Sequence, residues 1–189
     1  DSDLDQMKGH WQELFPDKKL CLEIGCGKGK FVIGMAKLHP ECGFIAVESQ
    51  HDIAFYPART ALEEEIPNVR VILANAEGLL EWFEPGEIKE IYLNFSDPWP
   101  KARHAKRRLT YRKFLELYRQ LLGKGGHLRF KTDNKDLFEF NYDTAYLVND
   151  TLKCFIDLKK HIENKHSLRF NNHIIYINNY FIFKVFYYL

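Results

Sequence analysis

The sequence predicts an α/β fold, a parallel β-sheet with helices on both faces. Two observations carry that expectation. Short apolar runs and helical segments alternate along the chain at βαβ spacing. No internal repeat or low-complexity linker interrupts them, and 189 residues is an ordinary length for one folding unit. Residues 1–189 are therefore expected to form a single domain, with residues 1–15 as an N-terminal extension.

The elements follow in order. Leu20-Cys21-Leu22-Glu23-Ile24 reads as a buried strand ended by glycines. Residues 30–38 read as a helix, and 44–47 as a strand with Glu48 at its end. Residues 51–65 have helical length, although Pro57 is expected to kink or split them. A strand at 69–73, a short helical piece at 79–83 and a strand at 90–95 come next. The stretch 111–122 is helical, with apolar residues at 114, 115, 117, 118, 121 and 122, and Gly123 just after it. Residues 127–131 are a strand and 134–148 a helix. The tail offers two more strands, the clearer at 174–186. Ligands of such sheets sit at the carboxyl ends of the strands, so the loops there hold the candidate site.

Composition limits the function classes. Aromatic residues make up 15% of the chain, which argues against disorder. Lys and Arg total 27 against 26 Asp and Glu, so a uniformly basic nucleic-acid binder is excluded. The balance hides two opposite regions. Residues 41–90 carry 11 acids and three bases, a net of −8, while residues 101–135 carry 12 bases and two acids, a net of +10. The basic region makes an RNA or DNA partner a serious candidate. No run of about 18 apolar residues exists, so no membrane span is expected, and no signal peptide is visible. The four cysteines, at 21, 26, 42 and 154, form no C-x-x-C pair. They read as reduced thiols of a cytoplasmic protein rather than a zinc site.

The first candidate loop is Glu23-Ile24-Gly25-Cys26-Gly27-Lys28-Gly29. Gly25, Gly27 and Gly29 let the backbone turn sharply and approach a ligand closely. The spacing is G-x-G-x-G rather than the dinucleotide G-x-G-x-x-G, and an acid precedes it. A carboxylate there repels a pyrophosphate and holds a cation, which points to S-adenosylmethionine with its ammonium and sulfonium. Glu48, at the end of the next strand, can accept both ribose hydroxyls. Asn75 and Ala76, in the third loop, offer an adenine-edge contact or a plain turn. The fourth loop is Phe95-Ser96-Asp97-Pro98-Trp99-Pro100-Lys101, followed by Arg103, His104, Lys106, Arg107 and Arg108. Five bases in the eight residues from 101 suit phosphate binding, with a solvated linker as the bland alternative.

These strings together resemble a known family. Glu-Ile-Gly-x-Gly-Lys-Gly at 23–29, Phe-Ser-Asp-Pro-Trp-Pro-Lys at 95–101, Arg-His-x-Lys-Arg-Arg-Leu at 103–109 and Lys-Thr-Asp-Asn at 131–134 are similar to the bacterial-type tRNA (guanine-N7-)-methyltransferases. The resemblance spans about residues 8–140. It implies a Rossmann-like class I methyltransferase with a mostly parallel seven-stranded sheet. It also implies methyl transfer from S-adenosylmethionine to N7 of a guanine in the tRNA variable loop, without a metal. It makes Glu23, Glu48, Asn75 and Asp97 cofactor-binding positions, with Asp97 also the catalytic acid. Lys101 and Asp133 become substrate contacts, and residues 103–108 the RNA-contacting segment. With Phe170 taken as the family's tail Phe, Asn164 and Ser167 stand where the family carries Thr and Glu. A methyltransferase acting on another substrate, or a tRNA-binding homologue without turnover, are the alternatives.

Overall fold

The computed structural model describes Leu4, residues 6–146, 153–158, 168–170 and 173–175, with side chains to residue 140. The expected Thr and Glu positions, Asn164 and Ser167, and residues 176–186 of the expected tail strand, lie outside the described residues.

A short helix, α1 (Trp11–Leu14), leads into β1 (Lys19–Ile24), α2 (Lys30–Leu38), β2 (Cys42–Glu48), α3 (His51–Glu63) and β3 (Val69–Leu73). A 3-10 turn (Ala76–Gly78), α4 (Leu79–Trp82) and β4 (Ile88–Asn94) follow. Next come a second 3-10 helix (Ala102–Arg107), α5 (Arg112–Leu121), β5 (Leu122–Thr132), α6 (Lys135–Tyr146) and β6 (Lys153–Leu158). The sheet order is β3-β2-β1-β4-β5-β6, and every neighbouring pair is parallel. Seven strands were expected in this sheet. Among the described residues the sheet has six, and β7 (Leu168–Phe170) and β8 (His173–Ile175) pair with each other, antiparallel, in a separate sheet.

Strand alternation divides the core between two faces. On one, Leu20, Leu22 and Ile24 of β1 join Ile45 and Val47 of β2 and the apolar face of α5, Phe114, Leu115, Tyr118 and Leu121. On the other, Cys21, Phe44 and Ala46 pack against Val32, Ile33 and Ala36 of α2. The N-terminal segment closes the first face. Trp11 stacks on Phe83 with ring centroids 5.2 Å apart and donates its indole N–H to the Trp82 carbonyl at 2.8 Å.

One local expectation is overridden by packing. Helix α3 runs unbroken through Pro57, whose ring is buried. Gly123 follows α5 as expected, after Leu122 passes directly from helix to strand. A β-carbon at Gly123 would stand 2.6 Å from the Gly86 carbonyl oxygen, so glycine is needed there for close backbone approach.

Candidate active site

The strand order reverses between β1 and β4, which opens a crevice at their carboxyl ends. Glu23 sits there, 2% exposed. Its Oε1 accepts a hydrogen bond from Asn94 Nδ2 of β4 at 2.9 Å. Its Oε2 is buried and makes no hydrogen bond of good geometry among the described residues, although the Val32 backbone N–H of α2 lies near enough to the carboxyl to favour its ionised form. Burial pushes the carboxyl up to about 7, against the opposing pull of the Asn94 amide and the Val32 backbone. A buried carboxylate with an oxygen lacking a well-aligned partner is an acceptor held ready for a donor or a cation.

The glycine loop folds over the end of β2. Gly25 and Cys26 donate their N–H groups to the Val47 carbonyl at 2.8 and 3.1 Å. Gly27 N–H donates to Glu48 Oε2 at 2.9 Å, while Glu48 Oε1 accepts from the amides of Ser49 and Gln50 at 2.8 and 3.1 Å. Glu48 thus fixes the loop, and an ionised carboxylate has lone-pair capacity beyond these bonds. Gly29 caps α2 at φ +78°, and a β-carbon there would lie 2.3 Å from Pro57 Cβ. Gly29→Ala is therefore expected to destabilise the fold by about 2–4 kcal/mol, from left-handed strain plus overpacking. Urea unfolding measures this, and an unchanged midpoint would show that α3 can shift away from the loop.

The loop fits a cationic adenosyl donor and not a pyrophosphate. Glu23 and Glu48 are both buried carboxylates lining it, and one Glu23 oxygen has no well-aligned partner. No atom stands within 4 Å of a β-carbon position at Gly27, so the crest of the loop faces open space. Beyond β3, exposed Asn75 caps the 3-10 turn by accepting from Glu77 N–H at 3.2 Å, and Ala76 is buried at its start. Asn75 therefore has a turn role of its own, beside the expected adenine contact.

Asp97 stands exposed three residues beyond Asn94. Phe95 and Trp99, on either side of it, take left-handed φ values of 53° and 41°. Such strain in non-glycine residues gathers at functional sites. The basic segment after it is a 3-10 helix, not a linker. Lys101, Arg103, Lys106 and Arg107 are exposed, and His104 is half-buried with its ring edge-on to Trp99. Arg107 lies over the Trp99 ring, 4.9 Å from its centroid. Arg108 is 9% exposed and turned inward, and it donates to the Pro98 and Trp99 carbonyls. Arg108 therefore has a structural role of its own, beside the expected RNA contact. Asp133 is exposed between β5 and α6. A β-carbon added at Gly25 would stand 3.7 Å from Leu109 Cδ1, so the residue after the basic segment lies near the glycine loop. Sequence reading missed Asn94 and Leu109, and only their places beside the Asp97 loop and the basic segment hinted at them.

A doubly wound parallel sheet with a glycine loop and acidic strand ends at its switch point defines a class I methyltransferase architecture. The solved "Structure of an antibiotic related Methyltransferase" has this fold at a TM-score of 0.56 and 17% identity, over 73% of each chain. The aminoglycoside resistance methyltransferase NpmB1 is similar at a TM-score of 0.53 and 18% identity, over 72% of this chain and 78% of that one. Residues 17–173 match the family described as "Putative methyltransferase". A tRNA (guanine-N(7)-)-methyltransferase of Limosilactobacillus reuteri is 48% identical over 170 residues, 88% of this chain and 79% of that one. One from Lactococcus lactis subsp. cremoris is 50% identical over 155 residues, 80% of this chain and 70% of that one. The chain belongs to the tRNA (guanine-N7-)-methyltransferase family, as its motifs implied.

Proposed function

We propose that this chain transfers a methyl group from S-adenosylmethionine to N7 of a guanine in the tRNA variable loop, in the cytoplasm. The observation that carries this reading is the Glu23 oxygen without a well-aligned partner, in a crevice with the basic 3-10 helix following the next strand's loop. Family membership supports the same chemistry.

When bound, S-adenosylmethionine supplies a sulfonium methyl that the N7 lone pair takes, so the C–S electron pair stays on sulfur and the positive charge passes to the purine. N7 has no proton to lose, so no strong general base is needed. The chain's work is placement and charge. Glu23 and Glu48 hold the cationic donor and its ribose. Asn75 and Ala76 border the adenine side. Asp97 offers a carboxylate to the charge that develops on the purine. Lys101, Arg103, Lys106 and Arg107 grip RNA phosphates, with His104 and Asp133 at the edge of the substrate surface.

The test is incubation with labelled S-adenosylmethionine and tRNA lacking N7 methylation, followed by aniline-sensitive strand cleavage. Label in tRNA with cleavage at one guanine is expected. Cofactor binding without transfer, or label on another atom, would overturn the reading. Arg107→Ala should weaken tRNA binding and reduce the salt slope of log K by about 1, with cofactor affinity unchanged. An unaltered slope in filter binding would remove Arg107 from the interface.

A further inference from the structure

The segment around Asp97 cannot hold its own shape. Pro98 and Pro100 lack backbone N–H groups, and Phe95 and Trp99 sit in left-handed backbone conformations. Strain of this kind persists only where the surroundings over-determine it. Phe95 N–H is anchored to the Lys131 carbonyl at 2.8 Å, which secures the start of the loop. On the far side His104 and Arg107 lie against the Trp99 ring, and Arg108 holds the backbone carbonyls. Arg108 donates from Nε to the Pro98 carbonyl at 3.0 Å and from Nη2 to the Trp99 carbonyl at 3.1 Å. Its guanidinium lies over the Phe140 ring of α6, 4.3 Å from the centroid. Its neighbour Arg107 is exposed and lies over the Trp99 ring, so adjacent arginines meet the same residue, one at its ring and one at its carbonyl.

We propose that Arg108 is a positioning residue: it forks the Pro98 and Trp99 carbonyls from a platform on Phe140, so that the loop presents Asp97 to the target purine. It binds no phosphate. Only a planar guanidinium fills this role, because it can fork two acceptors and lie flat on a ring at once. A lysine ammonium on a flexible stem does not reproduce both contacts. The inference rests on the methyl-transfer reading above.

The test compares Arg108→Ala, Arg108→Lys and Phe140→Leu with the wild type and Arg107→Ala, using labelled S-adenosylmethionine and unmodified tRNA. Arg108→Ala is expected to lose about 100-fold in kcat, the scale of a roughly 1 Å misplacement of a reacting group. Its KM for tRNA and its salt slope should stay at wild-type values, and Arg108→Lys should not restore kcat. Phe140→Leu keeps the guanidinium and removes its aromatic floor. It should lower kcat in the same direction with the salt slope intact, and it carries the test if Arg108→Ala does not fold. A raised tRNA KM with a slope reduced by about 1 and a preserved kcat would make Arg108 a phosphate contact and overturn the proposal. Full kcat in Arg108→Lys and Phe140→Leu would also overturn it. A wild-type protein that transfers nothing to N7 would refute the underlying reading instead.

Discussion

Asp97→Ala is expected to lower kcat for tRNA methylation by about 100- to 1,000-fold, the scale seen when one preorganised electrostatic group is lost from a transition state. Asp97 is exposed, so its carboxylate is accessible to a large substrate. It also lies between two strained residues whose backbone is tied down by the Lys131 carbonyl on one side and Arg108 on the other. Positive charge appears on the purine only as the methyl arrives, so a fixed carboxylate favours the transition state over the ground state. The tRNA KM should therefore stay within about twofold while kcat falls. Asp97→Asn keeps the shape and removes the charge, and it should be nearly as slow as the alanine variant. Single-turnover rates at saturating tRNA check this. Near-wild-type rates in either variant would remove the carboxylate from catalysis.

The parts of this site written in local sequence were readable. The buried run ending in glycine at Gly25 marked where the crevice lies, because a parallel strand and its following turn are local patterns. An acid two residues before Gly25 selected a cationic ligand over a phosphate by charge alone. What depends on distant partners was not readable. Five bases in eight residues look alike in sequence, yet Arg108 turns inward because Phe140 and two proline-loop carbonyls receive it. The need for glycine at 123 was not visible either, because its reason is a carbonyl at Gly86. Pro57 looked like a helix breaker, and it instead packs on Gly29 within one continuous helix. Six strands form the sheet among the described residues, and residues 176–186 of the expected tail strand lie outside them.

Glu23→Gln should separate the charge of Glu23 from its shape. In the free protein burial raises the carboxyl from 4.5 to about 7. Between those values the unfolded chain releases a proton that the folded chain keeps. Stability is therefore full below about pH 4.5, falls by about 1.4 kcal/mol per unit as pH rises, and levels off above about 7. The glutamine variant escapes this loss, so it should be more stable than the wild type by roughly 3 kcal/mol at about pH 8 and near parity at about pH 4.5. Donor binding runs the other way, because a cation favours the ionised carboxylate. Wild-type affinity for S-adenosylmethionine should rise about tenfold per unit toward pH 7 and then flatten. Glu23→Gln should bind about 100-fold more weakly at about pH 8, with little pH dependence, as expected when one partner of a buried charge pair is removed. Calorimetric titration with S-adenosylmethionine and thermal melts across this range read both effects. A variant that gains stability yet keeps full affinity would show that the buried carboxylate is strained for some purpose other than holding the donor.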